Sequence, residues 1–365
     1  MHRKRRNKHR RNKFGIGIII GPAAVILIGL IVLFIFIFRG ENEDEGTVSD
    51  DTAVSVDLCF NDPVSEDAAE AISSYNKPAE PCPRTVSSPL AERFYDGYEV
   101  TKDGRARYIG EEDVISRYAV LIDMQDGHIV AYRNENDQIY PASMTKVLSV
   151  YTACELLPTL SGNFSITQEI ANYTFSNDCS AVCYSISENV PVEELFYGTI
   201  LPSGADACLA LAQKSAGTTE NFVMAMNAYC ARLGISDTAH FANPVGIFDE
   251  NNYCTVVDMS MIMKAALEKD ICYKALSTHK YTTAKRPEHP DGLNLSNIFL
   301  RRIEDREMPG VCLAAKTGFV NESKNCAVSC FESNSGKLYI LCTAMSDSAR
   351  DARADHAYIF SHYTE

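Results

Sequence analysis

In the last 260 or so residues, segments patterned as strands stand at both ends and segments patterned as helices fill the middle. Apolar runs at 117–123 and 128–133 read as strands joined by the Asp126-Gly127 turn. Runs at 310–319, 325–332 and 337–344 read the same way. Between them, 192–200, 205–216, 218–233 and 255–269 read as helices, as does the apolar stretch Met144 to Leu157. The segment Asp347 to His362 reads as a closing helix. Strands so far apart must pair across the whole helical middle. The fold class that follows is α+β: an antiparallel sheet flanked by helices, with an inserted, mostly helical region. The length suffices for one large core.

The chain begins differently. Its first thirteen residues carry eight Lys or Arg, and Phe14 to Phe38 follow without a charge. These 25 residues would span about 37 Å as a helix, against a hydrocarbon core of about 30 Å. They are expected to form one transmembrane helix, with the basic tail on the cytoplasmic side. The rest of the chain would then lie outside the cell membrane. A cleaved signal peptide is the competing reading. Its apolar part is usually about 7–15 residues with a small-x-small cleavage site; this one is longer and ends Ile37-Phe38-Arg39-Gly40-Glu41. Residues 39–105 are acidic and rich in Ser, Pro and Asn, the composition of a linker, with at most short helical pieces such as Glu66 to Ser74. The expected order is therefore a basic tail at 1–13, a span at 14–38, a linker at 39–105 and a folded domain at 106–365. The formal net charge of −14, despite the basic start, argues against binding nucleic acid or anionic lipid.

All thirteen cysteines follow the span. In an oxidising exterior an odd number suggests disulfides plus one free thiol, with Cys59/Cys82 and Cys179/Cys183 as candidate pairs. Cys154, Cys208, Cys312 and Cys342 lie in apolar segments and read better as small core residues. There is no CxxC pair, so neither a zinc site nor a thioredoxin-like site is expected, and no metal or cofactor is called for.

Three strings carry chemistry. Ser143 and Lys146 stand three apart ahead of an apolar helix, where i and i+3 share a face. A serine hydroxyl needs a base to take its proton, and a lysine can serve once burial or a second cation lowers its pKa. The same spacing occurs at Ser74/Lys77 and Ser277/Lys280, but in polar surroundings. Ser203, in Pro202-Ser203-Gly204-Ala205-Asp206, precedes a small-residue helix that it could simply cap. Lys316-Thr317-Gly318 lies on a predicted strand, whose edge could pair with an extended peptide. Lys316 is expected to offer a fixed charge to a substrate carboxylate and to depress Lys146.

Taken together, these strings resemble the Ser-x-x-Lys, Ser-x-Asn and Lys-Thr-Gly trio of the penicillin-binding serine transferases and hydrolases. More narrowly, the chain is similar to the low-molecular-mass D-alanyl-D-alanine carboxypeptidases over roughly residues 110–345. Tyr118 to Asp123, His128 to Tyr132, Val192 to Leu195, Phe241 to Gly246 and the Thr255…Asp258 helix start extend the likeness. The resemblance implies removal of the terminal D-alanine from peptidoglycan stem peptides. Ser143 would be the nucleophile, Lys146 its base and Ser203 a proton relay. Lys316, Thr317, Gly318 and Phe319 would bind substrate, and backbone N–H groups of Ser143 and Phe319 would form the oxyanion hole. β-Lactams would acylate Ser143. Three positions depart from the pattern: Ala205 stands where Asn is usual, Phe319 where His is frequent and Asn252 where His is common. A lost hydrogen bond to a charged partner is worth roughly 1.5–3 kcal/mol, which predicts a slowed enzyme rather than a dead one. Some relatives carry a further β-rich domain and a C-terminal anchor; here the N-terminal span is expected to do the anchoring. Two alternatives belong beside this reading: a non-catalytic sensor of penicillin or wall fragments, which Ala205 would favour, and a β-lactamase of the same fold. The latter would need a Glu-x-x-Leu-Asn string, and Pro290 occupies the glutamate position before Leu293-Asn294.

Overall fold

The computed structural model describes residues 86–364. The expected basic tail and span, most of the expected linker, Cys59/Cys82 and Ser74/Lys77 lie outside them. Among the described residues no helix is long and apolar enough to cross a membrane.

In chain order the elements begin with β1 (Arg107–Tyr108), β2 (Tyr118–Asp123), β3 (Ile129–Arg133) and helix α1 (Thr145–Leu156). Then come β4 (Asn163–Ser165), α2 (Gln168–Ser176), β5 (Asn189–Pro191), α3 (Val192–Ile200), α4 (Ala205–Ala216) and α5 (Thr219–Arg232). After these follow α6 (Val256–Leu267), α7 (Asp270–Ser277), β6 (Lys280–Thr282), β7 (Asn294–Ser296) and α8 (Ile298–Ile303). Strands β8 (Gly310–Val320), β9 (Lys324–Ser333) and β10 (Leu338–Ser346) and helix α9 (Ala349–Tyr363) end the fold.

Six strands form the main sheet, in the order β1-β3-β2-β10-β9-β8. The sheet is mixed rather than wholly antiparallel, because β1 runs parallel to β3. The other pairs are antiparallel, and β10 joins the early hairpin β2–β3 to the late strands, as the distant pairing required. Side chains alternate between two covered faces. Val120, Ile122, Val328, Ile340 and Cys342 point into the large core with the helical region. Ala119, Leu121, Phe331, Tyr339 and Leu341 pack with Ile359 and Phe360 of α9. Phe331 and Phe360 stack with ring centroids 4.1 Å apart, a contact worth about 0.5–1.5 kcal/mol beyond burial. Burial on both faces explains why β9 and β10 read as nearly unbroken apolar runs.

Helix α1 is the axis of the helical region. Every residue from Thr145 to Cys154 is buried, as befits a helix with no polar face. Helices α3, α4, α5, α6 and α7 all pack against it.

Two expectations need correction. The linker does not continue to residue 105: from Ser88 onward the chain packs on the fold, with Leu90 and Phe94 in the core. Tyr98 Oη donates to Glu268 Oε2 at 2.7 Å, and Lys264 lies buried against the Phe94, Tyr95 and Tyr98 rings. These aromatic residues are scattered among polar ones, so no periodicity announces them. Cys179 and Cys183 are free thiols, not a disulfide. The eleven described cysteines are all free, nine of them buried, which fits the core-residue reading.

Candidate active site

Ser143 sits in a short 3-10 turn, Ala142–Met144, immediately ahead of α1. Its place outside the helix exposes the hydroxyl while the next turn buries Lys146, which is 3% accessible. Lys146 Nζ lies 3.1 Å from Ser143 Oγ and donates to the Val245 carbonyl at 2.6 Å. Burial lowers the Lys146 pKa. A neutral amine held by Val245 keeps a lone pair for the Ser143 proton. Ala142 has φ +48°, a conformation rare outside glycine that is worth about 1–3 kcal/mol of strain and gathers at functional sites.

Two glycines let other segments reach this turn. A Cβ on Gly318 would lie 2.7 Å from the Pro141 carbonyl oxygen, so only glycine lets β8 run this close to the nucleophile. A Cβ on Gly246, at φ +77°, would meet the Ala142 carbonyl oxygen at 2.0 Å. Gly246 follows Val245, so the same approach brings the Val245 carbonyl to Lys146.

Ser203 does not cap α4: the N-cap is Gly204, without a side-chain bond, and Ser203 itself has φ +63°. Its hydroxyl turns instead to Lys316, whose Nζ donates to Ser203 Oγ at 3.0 Å and to the Thr317 carbonyl at 2.7 Å. Lys316 is 2% accessible. Burial, with repulsion from Lys146 added, holds its pKa well below the ordinary lysine range. The repulsion is mutual, so it disfavours the charged form of Lys146 as well. One expectation changes: Lys316 faces the relay serine rather than an open carboxylate site.

Ser143, Lys146, Ser203, Thr317, Gly318 and Phe319 all line one cleft of about 500 Å³ between β8 and the helical region. The three strings thus converge, although 113 residues separate Ser203 from Lys316 and Ser143 lies further off still. The cleft also holds Arg353 of α9, which sequence reasoning missed. Burial and the neighbouring Arg302 and Arg306 lower its pKa. It is the cation the cleft presents to solvent where Lys316 is covered. Nothing in the sequence marks it, because only the closing of α9 onto the sheet brings it there. Phe319 stands 59% accessible at the rim. Asn252 is buried, its Oδ1 3.4 Å from the Ala242 amide. Ser277 and Lys280 lie at the end of α7 and on β6, outside the cleft lining.

Another wall is the turn at 177–180, with the chain continuing behind it to 188. Asp206 is buried, and its carboxylate accepts from the amides of Val182 and Cys183 at 2.9 Å each. Ser180 O accepts from the Ala205 amide at 2.8 Å. Arg286 joins Glu188 and Glu194, each at 2.7 Å, in a buried ion cluster behind this wall. Among the described residues no group of His, Cys, Asp and Glu is arranged to hold a metal.

Comparison with known proteins agrees with this geometry. The family model for D-alanyl-D-alanine carboxypeptidase, Peptidase S11, matches residues 106–344. The chain belongs to that family. It is 27% identical over 251 residues to the D-alanyl-D-alanine carboxypeptidase DacF of Bacillus subtilis, covering 68% of this chain and 63% of that one. It is 32% identical over 171 residues to DacA of Haemophilus influenzae, covering 46% of this chain and 43% of the relative. The chain therefore spans less than two thirds of the length of these curated family members. The fold is that of the crystal structure of the Streptomyces K15 DD-transpeptidase, with a TM-score of 0.61 and 23% identity, over 71% of this chain and 97% of that one.

Proposed function

We propose that this chain is a serine-type D-Ala-D-Ala carboxypeptidase that removes the terminal D-alanine of peptidoglycan stem peptides through an acyl-enzyme on Ser143. The observation that carries the reading is the buried, pKa-lowered Lys146 amine 3.1 Å from the Ser143 hydroxyl. Lys146 takes the proton as Ser143 Oγ attacks the penultimate D-Ala carbonyl. Backbone N–H groups of Ser143 and Phe319 receive the developing oxyanion. Ser203, whose oxygen accepts from Lys316, passes its own O–H proton to the departing D-alanine nitrogen as the C–N bond breaks, and the proton that Lys146 took from Ser143 replaces it across the shared cleft. Thr317 and Arg353 hold the terminal carboxylate. Water then cleaves the ester and Ser143 recovers its proton. Ala205 removes a side-chain donor at the middle string but leaves nucleophile, base and relay in place.

β-Lactams are expected to acylate the same oxygen. The uncharged stretch 14–38 is proposed to anchor the protein in the cell membrane, single-pass and with a cytoplasmic N-terminus. The catalytic domain then works outside the membrane on wall peptides, with no nucleic acid partner.

Incubation with a fluorescent penicillin, followed by peptide mapping, tests the acyl-enzyme. The label should map to the peptide containing Ser143 and vanish in Ser143→Ala. Labelling that survives this substitution would contradict the assignment.

A further inference from the structure

Strand β8 carries one row of side chains from the core to the mouth of the cleft. Ala315, Thr317 and Phe319 are spaced by two and so share a face. Ala315 is buried in one cluster with Phe299, Leu300 and Ile303 of α8. Asn297 Nδ2 pins the start of that helix to the Ala315 carbonyl at 3.0 Å. The cover over the row then runs out: Thr317 is half-buried and Phe319 is exposed.

Ile298, the first residue of α8, is 58% accessible and lines the cleft together with Phe319. Phe299 meets His356 of α9 edge-to-face, with ring centroids 5.1 Å apart. Arg353, one turn earlier on α9, also lines the cleft. Thr317 and Arg353, which hold the terminal carboxylate in the reading above, thus share their part of the cleft with an exposed phenyl ring and an exposed isoleucine. Single exposed apolar side chains are ordinary on a protein surface; two in the lining of a catalytic cleft offer apolar surface to whatever enters. Phe319 is also one of the positions where the chain departs from the family pattern.

We propose that Phe319 and Ile298 form a subsite for the side chain of the departing C-terminal D-residue, and that the enzyme prefers a bulky apolar residue there, such as D-leucine, to D-alanine. This rests on the carboxypeptidase reading above and adds a leaving-residue specificity to it. The departing residue is held between Ser203, which protonates its nitrogen, and Thr317 with Arg353. Phe319 lies two residues along the strand from Thr317, about 6.6 Å. The methyl of D-alanine is too short to span that distance. A leucine-sized side chain reaches the ring and takes apolar surface of both partners out of water.

The test compares release of the C-terminal residue by the full-length chain from diacetyl-Lys-D-Ala peptides ending in D-Ala, D-Leu or D-Asn. A methylene in a closed apolar pocket is worth about 10- to 200-fold in discrimination. At this half-open rim the expected kcat/KM ratio of D-Leu to D-Ala is about three- to tenfold. D-Asn, similar to D-Leu in size but polar, should show no gain over D-Ala. Phe319→Ser keeps the backbone N–H and should bring the D-Leu to D-Ala ratio to about one, and Ile298→Ser should lower it in the same direction. Reading a ratio cancels any loss common to both peptides. A wild-type ratio of one or less, an equal gain with D-Asn, or a ratio unmoved by Phe319→Ser would overturn this proposal alone. Release from none of the three peptides by the wild type would overturn the carboxypeptidase reading and this proposal with it.

Discussion

At the residue scale the account turns on two buried amines that divide the labour. Lys146 faces the nucleophile and Lys316 the relay serine. Both have pKa values lowered chiefly by burial. A base must be unprotonated to act, so kcat/KM should fall on the acid side as Lys146 takes a proton. The midpoint should lie below the ordinary lysine value of 10.5. Lys146→Arg puts a permanent cation where a deprotonable amine stood, since a guanidinium cannot give up its proton near neutral pH. It should lower kcat by about 10²–10⁴-fold without preventing folding. A pH–rate profile of the wild type and the activity of this variant check both statements. Arg353 is the second residue-level claim. Replacing it with Gln removes a charge-assisted contact of roughly 1.5–3 kcal/mol, or about 10- to 150-fold in kcat/KM. The loss should be far smaller on a substrate whose terminal carboxylate is amidated.

At the element scale, the closing helix α9 is held by a buried histidine. His356 Nδ1 lies 2.8 Å from Ser329 Oγ of β9, and Nε2 lies 3.1 Å from Thr343 Oγ1 of β10. Burial pushes its pKa down to about 3. The folded state thus keeps His356 neutral while the unfolded chain protonates it below about 6.5. Stability should be lost as pH falls from about 6.5 toward 3, by up to about 1.4 kcal/mol per pH unit from this group. His356→Gln should flatten that part of the curve in denaturant titrations. The same helix shows where sequence reading ends. Its existence was legible from Asp347 to His362, within two residues of its observed ends, but nothing in that pattern told that Arg353 would face the cleft. Helices α3, α4, α5 and α6 and strands β8 and β9 were legible because each buries a continuous stripe or run. Helices α2 and α7 are amphipathic but span only nine and eight residues, and α8 and the pairs β4–β5 and β6–β7 are shorter still, so none stood out from its polar surroundings. Ser143 and Lys146 could be read as a pair because the i,i+3 spacing fixes their approach, whereas Ser203 was singled out only together with the other strings and the resemblance, since alone it read as a helix cap. The covered position of Lys316 was not, since it depends on which face of the strand meets Ser203.

At the scale of the whole molecule, the fold begins earlier than composition suggests. Leu90 and Phe94 belong to the core although they lie in an acidic, polar stretch. Burying such a side chain contributes about 1.5–3 kcal/mol. A chain cut at residue 106 should therefore be less stable than one cut at residue 86 by several kcal/mol. Comparing their denaturation midpoints checks this, and equal midpoints would contradict the packing of residues 86–105. The central claim spans all three scales: strings far apart in sequence assemble one acyl-transfer site. The most direct measurement is D-alanine release from a peptide ending in Lys-D-Ala-D-Ala by the full-length protein, with Ser143→Ala alongside. The account predicts steady release by the wild type and none above background in the variant. Equal release by both, or none from a folded wild type, would contradict it.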